Sequence, residues 1–170
     1  MSIPHGRSRT LVIASGNAGK VREFRELLQQ LPLELQPQPD GMEVEETGLT
    51  FAENARLKAL AVAAASGAWA LADDSGLCVM ALGGAPGVHS ARYAATDPER
   101  IARLLSELGD WDDRRAEFRA ALCLADPSGQ VLLEGEGCCA GVITTGPRGD
   151  SGFGYAPIFE VEGSALTFAE

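Results

Sequence analysis

Thr10-Leu11-Val12-Ile13-Ala14-Ser15 runs directly into Gly16-Asn17-Ala18-Gly19-Lys20. The first stretch is nearly all apolar, as expected of a strand covered on both faces. Gly16, Asn17 and Gly19 break it. Val21, Phe24, Leu27, Leu28 and Leu31 then fall on one helical stripe, which Pro32 ends. A buried strand, a glycine turn and an amphipathic helix open an α/β fold.

Working outward, residues 37–49 are rich in Pro, Gly and acid and read as a loop. Thr50 can cap the next helix, with Glu53 completing a capping box, and Gly67 stops it after Ser66. Residues 69–72 predict a buried strand, Asp73-Asp74-Ser75-Gly76 a turn, and 77–82 a further strand. Asp97-Pro98 opens a helix carrying Ile101, Leu104, Leu105 and Leu108, closed by Gly109. Residues 118–125 and 130–136 flank Asp126-Pro127-Ser128-Gly129, a hairpin turn signature. Residues 139–144 and 156–162 predict more strands. Helices early and hairpins late give an α/β (mixed α+β) class with a mixed sheet.

The chain has 170 residues, 45% hydrophobic and 22% charged, which suits one globular domain over residues 1–170. Its net charge of −10 argues against nucleic acid polymers and anionic membranes, which need basic patches. The leader Met1-Ser-Ile-Pro-His5-Gly-Arg7 lacks an apolar signal core, and the uncharged run 59–72 is too short to span a bilayer. Cys78, Cys123, Cys138 and Cys139 lack CxxC spacing and read as buried small hydrophobes in a reducing compartment. A cytoplasmic protein is expected. His5 and His89 have no partners at ligand spacing, so a zinc site is not expected.

Four stretches could carry chemistry. In Ser15-Gly16-Asn17-Ala18-Gly19-Lys20, glycines let the backbone approach oxygen-rich ligands, the helix start offers N–H groups, and Lys20 adds charge. The spacing is not that of a Walker loop, and the same residues make an ordinary strand-to-helix turn. Glu45-Glu46-Thr47-Gly48 and Asp73-Asp74-Ser75-Gly76 place carboxylates where Mg²⁺ could be held, with one left to take a proton from water; wet loops and turns use the same residues. Asn54 and Lys58 share one helix face, facing either a ligand or solvent. In Gly152-Phe153-Gly154-Tyr155-Ala156-Pro157, an aromatic between glycines could stack on a base or fill a core.

Taken in order, Ser15–Lys20, Glu45 through Asn54 to Lys58, Ala72–Gly76, Gly83–Tyr93 and Phe153–Tyr155 resemble the signature segments of the inosine triphosphate pyrophosphatase family, across nearly the whole chain. The resemblance implies a two-lobed fold with a long mixed central sheet, flanking helices and a cleft between lobes, and a homodimer. It implies Mg²⁺-dependent hydrolysis of deaminated purine nucleoside triphosphates (ITP, dITP, XTP) to the monophosphate and pyrophosphate. On this reading Ser15, Gly16, Asn17, Ala18, Gly19, Lys20, Asn54, Lys58 and Ser75 contact substrate. Glu45 or Glu46 and Asp74 bind metal, and Asp74, Lys20 and Glu46 form the catalytic set with Asp74 as base. Phe153, Gly154, Tyr155 and Ala156 form the base-side segment.

The chain departs from the family pattern at Ala156, where the family has an Asp that reads the base edge, and after Glu170, where the family continues into a Ser-His-Arg segment. The alternative is therefore a relaxed-specificity pyrophosphatase or a catalytically weak nucleotide binder.

Overall fold

The computed structural model describes residues 9–170; His5 and the rest of the leader lie outside the described residues. The elements run β1 (Arg9–Ile13), α1 (Ala18–Leu28), β2 (Leu33–Pro37), α2 (Phe51–Ser66), β3 (Trp69–Val79), α3 (Asp97–Leu108), β4 (Arg115–Ala125), β5 (Val131–Ile143) and β6 (Phe159–Val161), with short 3-10 turns at 80–82, 87–92 and 156–158. The strands form a six-stranded sheet in the order β2-β1-β3-β4-β5-β6. β1 is parallel to both β2 and β3, while β5 and β6 are antiparallel, so the sheet is mixed. The expected class is the observed one.

By contacts the chain forms two compact units: the described part of Met1–Asp73 with Ala121–Gly135, and Asp74–Ala120 with Glu136–Glu170. The first unit has a core of small side chains. Ala55, Ala59, Val62 and Ala63 line one face of α2 and meet Val12, Ala14, Ala70, Ala72, Ala121 and Cys123. Alanines leave little side chain between helix and strands, so α2 lies close to the sheet. The second unit is built from larger groups. Ile101, Leu104 and Leu108 of α3 pack with Leu77, Val79, Ile143, Ile158 and Phe159. The Phe159 ring stands edge-on to Phe118 at 4.6 Å and stacks on Phe168 at 5.2 Å.

Four local expectations change. Residues 73–76 continue β3 instead of turning. Their turn propensity is overridden because β3 lies between β1 and β4. The strand expected over 77–82 ends at Val79 and passes into a 3-10 turn at 80–82, while residues 33–37, to which the sequence assigns no element, form the edge strand β2, where terminal Pro37 removes no interior ladder bond. The two strands expected over 130–136 and 139–144 are one, β5 (Val131–Ile143), despite Gly135 and Gly137. In 156–162 only 159–161 are extended, after a 3-10 turn containing Pro157.

The helix caps follow the sequence with one shift. Thr50 Oγ1 accepts from Glu53 N at 3.1 Å, but Glu53 Oε2 accepts from Leu49 N rather than Thr50 N. Gly67 closes α2 at φ 66°, the left-handed position that suits glycine. The cysteines are all free, yet only Cys123 is buried, and Cys138 is exposed on β5.

Leu104 is fully buried in the second core, whereas Leu133 is 67% exposed. Leu104→Ala is expected to cost about 2–5 kcal/mol in urea unfolding and Leu133→Ala under about 0.5 kcal/mol. Equal losses in the two variants would show the packing to be misassigned.

Candidate functional site

The glycine loop is organised by its own side chains. Asn17 caps α1, its Oδ1 accepting from Gly19 N at 2.9 Å and Lys20 N at 3.3 Å, and Ser15 Oγ accepts from Asn17 N at 3.0 Å. The backbone N–H groups of Gly19 and Lys20, expected to be open to an anion, are therefore taken by Asn17. The exposed surface of the loop is Gly16, Asn17 and Ala18, with Ser15, Gly19 and Lys20 half-buried.

Lys20 Nζ donates to Asp73 Oδ2 at 2.9 Å. Asp73 is buried and is the carboxylate that sequence reasoning passed over in favour of its neighbour. Beside the loop lies a cavity of about 560 Å³ bordered by Ser15, Gly16, Arg22, Arg25, Gln38 and Asp40, among others. Arg22 and Arg25 were not among the expected site residues. Their signal was available, since positions 22 and 25, three apart on α1, share a face, one turned well away from Lys20.

The acidic loop is pinned to α2. Gly48 N donates to Asn54 Oδ1 at 2.8 Å, and Asn54 is 1% exposed. A Cβ at position 48 would lie 2.6 Å from that same oxygen, so the close approach requires glycine. Asn54 thus faces inward and holds the loop. One turn on, Lys58 Nζ lies 3.3 Å from Glu46 Oε1, both largely shielded from solvent, while Glu45 is exposed. The structure distinguishes the two glutamates that the sequence left equivalent.

Asp74 and Ser75 follow on β3, Asp74 buried at 5% exposure and Ser75 half-buried. In an extended strand consecutive side chains point to opposite faces, so Asp73 and Asp74 have separate surroundings. In the second unit Phe153 is half-exposed between Gly152 and Gly154, both at positive φ, so it is not a core residue. Tyr155 and Ala156 are buried. Tyr155 Oη donates to Ser90 O at 2.8 Å, and burial pushes its hydroxyl up to about 12, so it stays a donor at neutral pH.

A hard cation takes oxygen donors, and the carboxylates of Glu46 in the first unit and of Asp74 in the second are each of that chemistry. Among the described residues no group of three or more His, Cys, Asp or Glu side chains is gathered to hold an ion unaided. Also among the described residues, no helix is long and apolar enough to cross a membrane.

Known proteins share this arrangement of sequence and fold. The chain is 70% identical over 162 residues to a dITP/XTP pyrophosphatase of Parasynechococcus marenigrum (strain WH8102), covering 95% of this chain and 83% of the relative. It is similar to the structure of a HAM1 protein from Coxiella burnetii, with a TM-score of 0.87 at 44% identity, covering 95% of this chain and 86% of that one. The Staphylococcus aureus Ham1 protein superposes with a TM-score of 0.84 at 40% identity, covering 95% and 85%. With residues 11–170 matching the family pattern as well, the chain belongs to the Ham1 family.

Proposed function

We propose that this chain hydrolyses deaminated purine nucleoside triphosphates such as ITP, dITP and XTP to the monophosphate and pyrophosphate, and so cleanses the nucleotide pool. The observation that carries it is the glycine loop, whose Ser15, Gly16 and Ala18 border one cavity with Arg22 and Arg25, and whose Lys20 is held by Asp73. In a chain of net charge −10, this concentrates positive charge where a polyphosphate must approach. Ham1 membership and the dITP/XTP pyrophosphatase relative support the same reading.

In this proposal Ser15, Asn17 and the glycines shape the phosphate platform, Lys20 and Lys58 bind phosphate oxygens, and Ser75 contacts the substrate. A phosphate that draws Lys20 replaces Asp73 as its partner, an exchange of one charge-assisted bond for another. Glu46 and Asp74 hold a divalent metal, which we take to be Mg²⁺. When bound, it would supply charge neutralisation at the phosphate oxygens. Asp74 accepts a proton from water as the water oxygen bonds to the α-phosphorus. The bond from that phosphorus to the α,β-bridging oxygen breaks, and pyrophosphate leaves with the electron pair. Phe153 stacks on the purine while buried Tyr155 and Ala156 frame it. A cytoplasmic homodimer belongs to the same proposal, through the family resemblance.

Pyrophosphate release from ITP, XTP, dATP and dGTP, with Mg²⁺ and with chelator, tests the reading. Release that needs Mg²⁺ and falls about 10²–10⁴-fold in Asp74→Asn is expected. Saturable ITP binding without release would make the chain a nucleotide binder instead. Lys20→Met is expected to lower kcat/KM at least about tenfold, with Lys20→Arg recovering part of the loss; unchanged kinetics in Lys20→Met would remove Lys20 from the phosphate site. Because Ala156 offers no group to read the base edge, the preference for ITP over dATP is expected to stay below about 10²-fold. A preference above about 10⁴-fold would place discrimination elsewhere in the chain.

A further inference from the structure

Phe153 stands at the crest of a loop whose flanks are tied down by backbone hydrogen bonds and whose tip, among the described residues, has no backbone bond outside the loop. Ser151 N donates to Ala169 O at 3.1 Å and Arg148 N to Pro157 O at 2.8 Å, while Tyr155 Oη reaches Ser90 O. Between these ties, Gly152 and Gly154 both sit at positive φ, where glycine has freedom that other residues lack. A half-exposed aromatic on such a tip would lose considerable freedom on stacking, which weakens binding unless something fixes the tip beforehand.

One side chain does this. Gly154 N donates to Asp97 Oδ2 at 2.9 Å, across 57 positions of sequence, and among the described residues this is the hydrogen bond by which residues 152–154 reach outside their own loop. Asp97 is the first residue of α3, a position where a carboxylate ordinarily serves the helix start. Here that work is done by others: Thr96 Oγ1 accepts from Glu99 N, and Glu99 Oε2 accepts from Thr96 N. The second oxygen of Asp97 is paired with Arg100, whose side chain is largely shielded. Arg100 thus orients the carboxylate from behind, leaving Oδ2 directed at the Gly154 N–H.

The geometry points to Asp97 as a positioning residue that sets the Phe153 ring for the purine, and so controls affinity for the base without touching substrate. This rests on the proposed stacking role of Phe153. Removing the acceptor frees the tip and leaves the phosphate-binding residues unaltered. Base-containing ligands should therefore be weakened and base-free polyphosphate should not.

The test is calorimetric titration of the full chain, in chelator, with ITP and with inorganic tripolyphosphate. Asp97→Ala is expected to weaken ITP about five- to tenfold while leaving tripolyphosphate within about twofold. Asp97→Asn has one acceptor for two donors, so an oxygen kept on the Gly154 N–H turns the NH2 group towards Arg100, and the variant is expected to recover only part of the loss. In a Phe153→Ala background, Asp97→Ala should add less than about twofold, because two residues acting through one contact are not additive. An equal loss for both ligands, or the full loss persisting without Phe153, would overturn the assignment, as would a wild type binding ITP no better than tripolyphosphate. Binding is read here without turnover, so an absence of hydrolysis would count against the proposed activity alone. Far-UV circular dichroism and thermal midpoints of each variant separate loss of the tip from loss of the fold.

Discussion

The ion pair between Lys20 and Asp73 is the constraint on which the first unit's site depends. α1 has no buried residue, so apolar packing contributes little to holding its start. A 2.9 Å contact between a lysine 20% exposed and an aspartate 10% exposed does so instead. Removing one partner of a shielded pair leaves a charge without compensation, at a cost of about 3–5 kcal/mol in deeply buried cases and less where solvent still reaches. Such a pair is also exchangeable. Lys20 is held in place by a carboxylate, and in the proposed function a polyphosphate replaces that carboxylate, so the charge is arranged in advance of the ligand.

Close approach is the second constraint. The alanines of α2 bring that helix down on the sheet, and Gly48 brings the acidic loop against Asn54. From there Lys58 reaches Glu46. The same helix therefore builds the core on one face and fixes a carboxylate and an ammonium on another. A larger residue at 48 would displace the loop and carry Glu46 with it.

Much of this was legible in the sequence, and the exceptions have physical causes. The strand-glycine-helix order, the Thr50 and Gly67 boundaries of α2 and the apolar stripe of α3 are local patterns that hold, whereas α1 ends at Leu28, short of Pro32, and leaves Leu27 and Leu31 exposed. Asp73-Asp74-Ser75-Gly76 reads as a turn because its residues prefer one in isolation; pairing across the sheet keeps it extended, which no local pattern reveals. The difference in surroundings between exposed Glu45 and Glu46 beside Lys58 was equally hidden, since it depends on where Lys58 comes to lie. Asn17 was recognised for its place in the loop, but its work as a helix cap changes what it offers a ligand. Asp97 was read only as a helix opener, because its partner lies 57 positions away.

Lys20 and Lys58 are the chain's only lysines, so its side-chain ammonium groups give two resolvable nitrogen signals, assigned by substituting either residue. Nitrogen-15 NMR during titration with tripolyphosphate reads the exchange at Lys20 directly. If Lys20 passes from Asp73 to phosphate, its signal shifts along a saturating curve that matches the binding isotherm. A Lys20 signal that stays fixed while tripolyphosphate saturates would place the polyphosphate elsewhere and contradict the phosphate-site assignment.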